Sequence, residues 1–283
     1  SPKTNPDLYW VLSGGGGGTF GVVISLTVKA HQDSITAGAK LTWTNEGITQ
    51  NKYHEAIRLY ISSLPTVMDA GATSTWLNNN ATFSVSSAVG FGISKTELDA
   101  LHQPLLDELD KREIKYKYYS AEFPTFIDFY QAMNPGAETA TFQLGSCLIP
   151  REVILNNATK GFAHALQGIT DEHEGTWISG VSFNVSTASD VPNVVDPAFR
   201  EASVSLVVGT LRSDHVRKLL SSLNEGNPNE PEWEKVFYGE NYPRLLKIKN
   251  RYDPDRVLHG RTAVGSETWV ERKDGRLCRK ETY

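Results

Sequence analysis

A run of five consecutive glycines, Gly14–Gly18, constrains this 283-residue chain more than any other feature. Glycine loses the most backbone freedom on folding, so such a run belongs neither inside a helix nor inside a strand. On its own it reads as a flexible linker. Here it is hemmed in by a short apolar segment, Leu8–Leu12, and by Thr19-Phe20-Gly21-Val22-Val23, which opens a strand-like run from Val22 to Val28. Flanks that tight point to a loop where backbone approaches something closely. No Gly-Lys-Ser/Thr follows, which excludes a Walker-type phosphate loop. No helical pattern with a later acidic residue follows either, which excludes a dinucleotide fingerprint.

The second informative stretch runs from Trp233 to Trp269. Tyr242-Pro243-Arg244 opens a short helix, since proline fits the first turn, where its missing N–H costs nothing. Leu245, Ile248 and Tyr252 recur at helical spacing with Leu246 beside them, and Lys247, Lys249, Asn250 and Arg251 take the other positions. Asp253-Pro254-Asp255 ends the helix. Before it, Phe237-Tyr238-Gly239-Glu240-Asn241 has the composition of a loop pressed against a flat ring. The plainer alternative is an aromatic loop and a core-facing helix, with Asn241 as its N-cap.

Between these stretches strands and helices alternate. Strands are expected at Ala39–Trp43, Thr73–Leu77, Thr82–Ile93, Lys115–Tyr119, Thr139–Leu148, Thr176–Ser186 and Ser203–Leu211. The turn-like Asn78-Asn79-Asn80 joins the second to the third. Helices are expected at Lys52–Ser63, ending before Pro65, at Lys95–Lys111, from Pro150 to about Ile169, and at Ser213–Leu223. Ser94 and Glu97 form a capping-box pattern for the second of these. Without an evident β-α-β repeat, the alternation predicts an α+β fold, an antiparallel sheet covered by helices.

Hydrophobic residues make up 39% of the chain and charged residues 22%, enough for an ordinary globular core. The net charge of −5 and the lack of a long basic run argue against nucleic acid, and no apolar stretch approaches a membrane span. Cys147 and Cys278 fit no close metal spacing and read as free or buried thiols rather than a disulfide. The seven histidines are scattered, so no metal site is expected. Sequons at Asn80, Asn157 and Asn184 are compatible with a secreted glycoprotein, the alternative being an intracellular biosynthetic enzyme. The charged tail after Trp269 reads as a solvated or frayed end.

The order aromatic-Tyr-Gly-x-Asn-Tyr, then Leu, Ile-Lys and Tyr-Asp-Pro, over Phe237–Pro254, resembles the C-terminal signature of the berberine bridge enzyme-like flavoproteins, of the vanillyl-alcohol oxidase type. Asp7-Leu8-Tyr9-Trp10, the glycine run and Thr19–Val23 resemble the end of the FAD-binding domain of the same family. The resemblance implies residues 1–35 as the remnant of that domain, 36–225 as a substrate domain, 226–269 as a segment returning to the flavin, and 270–283 as the charged tail. It implies FAD as cofactor, with Gly15, Gly16, Gly17, Gly18, Thr19, Gly21, Val22, Val23, Tyr238 and Asn241 against it. Tyr238 is the implied catalytic residue, a proton acceptor from the substrate, and its alternative is packing over the flavin edge.

The reaction so implied is oxidation of a C–H next to an alcohol or amine of a small molecule, with hydride passing to flavin N5 and electrons to dioxygen. Plant members often place a carboxylate on the strand matching Thr176–Ser186. Here that strand offers Ser179, Ser182 and Asn184, which puts a carboxylate base in question. The pyrophosphate-cradling loops and the FAD-attaching histidine of the family have no counterpart in the chain, so an N-terminal FAD-binding chain or segment is the implied partner. The alternative is a non-catalytic binding module or a truncated remnant.

Overall fold

In the computed structural model, residues 1–134, 143–155, 158–172, 175–187, 193–210, 230–272 and 274–280 are described. The elements, in chain order, are α1 (Pro6–Leu12), β1 (Thr36–Thr44), α2 (Gln50–Asp69), β2 (Thr73–Asn78), β3 (Thr82–Phe91), α3 (Lys95–Lys111), β4 (Tyr116–Phe123) and α4 (Phe126–Met133). They continue with β5 (Gln143–Pro150), α5 (Ala158–Glu172), β6 (Trp177–Ser182), α6 (Ala198–Glu201), β7 (Ala202–Thr210), α7 (Trp233–Tyr238), α8 (Tyr242–Tyr252), β8 (Trp269–Glu271) and β9 (Leu277–Arg279). They fall into two compact units. One comprises residues 30–188 and 198–221, the other 1–29, 189–197 and 222–283.

The larger unit is a seven-stranded sheet in the order β4-β1-β3-β2-β6-β7-β5, antiparallel at every pairing. Period-2 alternation sends Leu41, Trp43, Trp76, Phe83, Ile178, Val204 and Leu206 to one face. There they pack with Tyr53, Ile57, Tyr60 and Ile61 of α2, Leu98, Leu105 and Leu109 of α3, and Phe162 and Leu166 of α5. The α+β expectation of an antiparallel sheet covered by helices therefore holds. At the centre Trp43 stacks on Phe83 with ring centroids 4.3 Å apart, and Trp76 lies 5.9 Å from the same ring. Some of the polar atoms this burial traps are paired, whereas Trp43 Nε1 and Asn78 Nδ2 have no hydrogen-bond partner among the described residues. Trp76 Nε1 donates to Ser182 Oγ at 3.0 Å, and the Tyr60 and Ser74 hydroxyls bond at 2.8 Å.

Side-chain volume across β2, β6 and β7 is relieved by glycine. Trp76 is directly opposite Gly180, and Trp177 opposite Gly209. A Cβ at Gly180 would come within 2.1 Å of the Trp76 ring, and one at Gly209 within 2.2 Å of the Trp177 ring. The indoles fold flat across the neighbouring strand, into space that any side chain would fill.

Several sequence expectations need correction. The first helix does not stop before Pro65 but continues to Asp69, because Leu64, Val67 and Met68 carry its apolar stripe into the core. Burying each contributes about 1.5–3 kcal/mol, which together exceeds the about 3 kcal/mol an interior proline costs. The segment after Pro150 starts as a single 3-10 turn, Arg151–Ile154, and the helix proper begins at Ala158.

The strand expected to run to Ser186 ends at Ser182; beyond it Asn184 is exposed and donates to Asp69 at 3.0 Å. The alternating run Val22–Val28 forms no strand. Residues 21–35 have no regular structure, and Val22, Ile24, Leu26 and Val28 are 81%, 96%, 80% and 72% exposed. A strand exists only through bonds to a neighbour, and among the described residues none pairs with this one. The charged tail is not simply frayed, since β8 and β9 pair as a hairpin, Trp269 opposite Arg279. The helix expected at Ser213–Leu223 and the sequon Asn157 lie outside the described residues.

Elsewhere pattern and structure agree. The capping box at Ser94 and Glu97 is formed in full, and Asn79 closes the β2–β3 turn by accepting from the Ala81 and Thr82 N–H groups at 2.8 Å each. Replacing Gly180 with alanine should lower stability by about 1–3 kcal/mol through overpacking against Trp76. The same change at Gly161 within α5, where a Cβ would meet nothing within 4 Å, should be neutral or stabilising by about 0.5–1 kcal/mol. Urea unfolding of the two variants checks the contrast.

Candidate functional site

The smaller unit has its own apolar centre, made of Trp10, Val11, Phe20, Val194, Phe237, Tyr238, Leu245, Ile248 and Val264. It brings the glycine run and the aromatic segment of the C-terminal stretch into one body. α1 is fastened to α8 by polar contacts. Asp7 accepts from Arg251 Nη1 at 2.7 Å and from the Tyr252 hydroxyl at 3.0 Å, and the Arg244 guanidinium lies 3.8 Å from the centre of the Trp10 ring. The Asp-Leu-Tyr-Trp motif thus meets the Arg-Tyr-Asp-Pro motif directly.

The glycines divide by what surrounds them. Gly14 sits at φ +118°, and a Cβ there would come within 2.5 Å of Val195. At Gly15 a Cβ would meet the Val11 carbonyl oxygen at 2.7 Å, Val194 at 3.0 Å and Leu245 at 3.2 Å. These two are glycine because the unit packs against them. Gly16, at φ +82°, satisfies a backbone conformation that other residues rarely adopt. Gly17 opens a 3-10 turn ending at Thr19, whose N–H and hydroxyl both bond the Gly16 carbonyl, at 3.0 and 2.8 Å. Gly18 and Gly21 face open space, with nothing within 4 Å of a built Cβ. Close backbone approach to a ligand is therefore available at Gly18 and Gly21, whereas a side chain at Gly14 or Gly15 would run into the protein itself.

Val194 joins the two halves of the candidate site. Its N–H donates to the Ser13 carbonyl at 3.3 Å, its side chain closes over Gly15, and its carbonyl accepts from Asn241 Nδ2 at 3.4 Å. Asn241 stands at the N-cap position of α8 but makes no side-chain cap bond, so its carboxamide is spent on Val194 instead. Tyr238 is buried. Its hydroxyl donates to the Thr262 carbonyl at 3.2 Å, and its ring lies 6.1 Å from Trp233 and 5.8 Å from Tyr242. Burial pushes the Tyr238 phenol up to about 12, against the smaller opposing effect of the Val264 backbone. This tyrosine is a neutral hydrogen-bond donor at physiological pH, not a resident phenolate. Val22 and Val23 are exposed, by 81% and 60%.

A buried charge escaped the periodicity reading. Lys249 falls on a position expected to be polar and outward, yet its side chain is only 1% exposed. Its ammonium has three donors and three partners: the Thr19 carbonyl, the Leu258 carbonyl at 2.7 Å and Asp253 Oδ2 at 2.7 Å. Asp253 in turn accepts from the N–H groups of Val257 at 2.9 Å and Leu258 at 3.0 Å. Burial raises its carboxyl, but the Lys249 ammonium and these two N–H groups outweigh that and hold it below its ordinary value. The sequence carried a signal in the Lys-x-x-x-Asp spacing, which places the pair on one helix face.

Among the described residues no group of three or more His, Cys, Asp or Glu is placed to hold a metal ion, and both cysteines are free. An open groove of about 550 Å³ in the larger unit, lined by Trp43, Glu46, Glu113 and Lys115 among others, contains none of the candidate residues.

Comparison with known proteins fits this arrangement. Residues 223–265 match the family described as berberine and berberine like. Over 99% of its length the chain is 36% identical to the FAD-linked oxidoreductase sor8 of Hypocrea jecorina and 34% identical to the FAD-linked oxidoreductase patO of Aspergillus clavatus. It covers 52% and 53% of those proteins. The crystal structure of the VAO-type flavoprotein MtVAO615 from Myceliophthora thermophila superposes with a TM-score of 0.89 at 30% identity, covering 99% of this chain and 56% of that one. The BBE-like 1 protein of Physcomitrella patens, at 14% identity and a TM-score of 0.72 over 93% of this chain and 61% of that one, shares the fold.

The antiparallel sheet under helices is a fold this chain shares with VAO-type flavoproteins. Over nearly its whole length the chain is similar to FAD-linked oxidoreductases and VAO-type flavoproteins, it carries the berberine-like match near its C-terminal end, and it spans about half the length of the relatives it matches.

Changing Asp253 to asparagine strands the Lys249 charge and should cost about 3–5 kcal/mol. Because the folded carboxyl titrates below its unfolded value, its contribution is present above about pH 4 and is lost as the pH falls through the folded value. The stability gap between the parent and the Asp253→Asn variant should therefore be constant near neutrality and shrink on acidification below about pH 4. Denaturant titrations at a series of pH values read this directly.

Proposed function

We propose that this chain is the substrate-domain part of an FAD-dependent oxidase, active together with an N-terminal FAD-binding part. It would oxidise a small molecule at a C–H next to an alcohol or amine and pass the electrons to dioxygen. The observation that carries the reading is the gathering of the glycine loop and the C-terminal helix, 230 residues apart in sequence, into one body with an open stretch at Gly18 and Gly21. Relatives named as FAD-linked oxidoreductases support it.

The residues present fit one wall of a flavin site. Gly18 and Gly21 offer main chain with no side chain in the way, and Val22 and Val23 offer an uncovered apolar edge. A bound flavin would supply the hydride acceptor. Asn241, anchored through Val194, has a carboxamide oxygen suited to a ring N–H. Tyr238 acts as a neutral phenol whose hydroxyl, by leaving the Thr262 carbonyl, can hold a substrate oxygen or nitrogen in place. Ser179 and Val181 of β6 lie on the face of the sheet opposite Ile178 and contribute no carboxylate. Proton removal therefore falls to a group other than an acid on this strand. The small-molecule substrate, the oxygen acceptor and a secreted location, with Asn80 and Asn184 exposed as glycan acceptors, belong to the same reading.

The test is a flavin titration followed by the visible absorption band and the quenching of free FAD fluorescence, on the chain alone and with an N-terminal FAD-binding part supplied. Bound, yellow protein is expected once that part is present. Protein that stays colourless in both would leave a binding module without redox chemistry. Gly18→Val should weaken FAD binding by about tenfold while leaving the thermal midpoint nearly unchanged. Gly14→Ala should instead lower the midpoint, because its defect lies in packing against Val195.

A further inference from the structure

The two halves of the glycine loop are held in different ways. The first half is clamped by packing, with Val195 against Gly14 and with Val11, Val194 and Leu245 around Gly15. The second half, the open part, has no such clamp at Gly18 or Gly21. Its bonds from the Thr19 N–H and hydroxyl go to Gly16, within the loop. Among the described residues, long-range hold on it comes from the Phe20 ring, 2% exposed in the apolar centre, and from the Lys249 ammonium on the Thr19 carbonyl. The ammonium also lies 5.7 Å from the centre of the Phe20 ring. An ionic group is a costly way to fill a core position, and an apolar residue of similar size would fill the same volume without the desolvation cost. What an apolar side chain cannot do is hold a backbone carbonyl at a fixed place and orientation.

We propose that Lys249 is a positioning residue, whose ammonium fixes the Thr19 carbonyl and thereby presets the open Gly18–Gly21 backbone for a ligand. The ligand inferred is the flavin, which rests on the functional reading above; the tether itself does not. Each partner has a part in this. Asp253 holds the ammonium from one side and is itself fixed by the Val257 and Leu258 N–H groups. The Leu258 carbonyl holds it from another, and the third N–H is left for the loop. The rigid end of α8 and the 253–258 turn thus act as a bracket, and the loop hangs from it. A loop ordered before binding spares the ligand the cost of ordering it.

The test is backbone amide exchange on the whole chain without ligand, comparing the parent with Lys249→Met. A second variant, Lys249→Met with Asp253→Asn, leaves no unpaired buried charge and serves if the single one folds poorly. Exchange at Thr19 and Phe20 is expected to quicken by about tenfold or more, with Gly15, the α8 amides and the sheet strands unchanged. Unchanged exchange at Thr19 and Phe20 would overturn the tether. Equal acceleration at Gly15 and through α8 would overturn it as well, since that is loss of the unit's core and not of a local hold. Lys249→Arg, which keeps a charged donor, should recover part of the protection.

Titration with FAD, in the presence of an N-terminal FAD-binding part, is the separate arm. Binding by the Met variant about tenfold weaker than by the parent supports a preset flavin wall. Local loosening with unaltered FAD affinity would overturn the flavin as the loop's ligand while leaving the tether standing. No FAD binding by the parent itself would instead remove the functional reading.

Discussion

The sheet is continuous across its middle because Trp76 on β2 can lie flat over Gly180 on β6. That pairing joins the four strands nearer the N-terminus to the three that follow, and every antiparallel register outward from it depends on the two backbones meeting at the usual spacing. The same indole lies within 6.2 Å of Tyr60 on α2, and its N–H is satisfied by Ser182. One side chain therefore ties two strands and a helix together without leaving a buried donor unpaired. The arrangement repeats with Trp177 over Gly209 one strand further on.

The smaller unit solves a different problem, which is to hold a loop that has few side chains of its own. Packing does this for Gly14 and Gly15, a left-handed turn does it for Gly16, and a buried ammonium does it for Thr19. Val194 enters from a remote part of the sequence and touches both the loop and Asn241. The adjacent glycines thus answer to different constraints: packing at Gly14 and Gly15, backbone angle at Gly16 and open space at Gly18.

Much of the fold was legible because periodicity reports burial. The β2 and β3 strands, the Asn79 turn and the capped α3 followed from alternation and turn chemistry alone. Pro65 misled because local propensity cannot see the core that awaits Leu64, Val67 and Met68. Val22–Val28 misled for the opposite reason: its alternation is genuine, but a strand is a property of two segments. At the site, the glycine loop and Phe237–Asn241 were legible as motifs. Lys249 was not, since the sequence shows a lysine between Ile248 and Asn250 and gives no view of the two carbonyls and the carboxylate that make its burial tolerable. Tyr238 was legible as a candidate, but its protonation state was not, because that depends on how deeply Phe237, Trp233 and Tyr242 enclose it.

The uncovered run from Val22 to Val28 bears on how the molecule behaves in concentrated solution. Its branched apolar side chains alternate along a backbone whose N–H and C=O groups have no strand partners among the described residues, a combination that favours edge-to-edge pairing between copies. A net charge of −5 spread over 283 residues gives only modest mutual repulsion, and physiological salt screens it beyond about 8 Å. Colloidal stability is therefore set less by the well-packed sheet than by whatever covers seven residues beside the glycine loop.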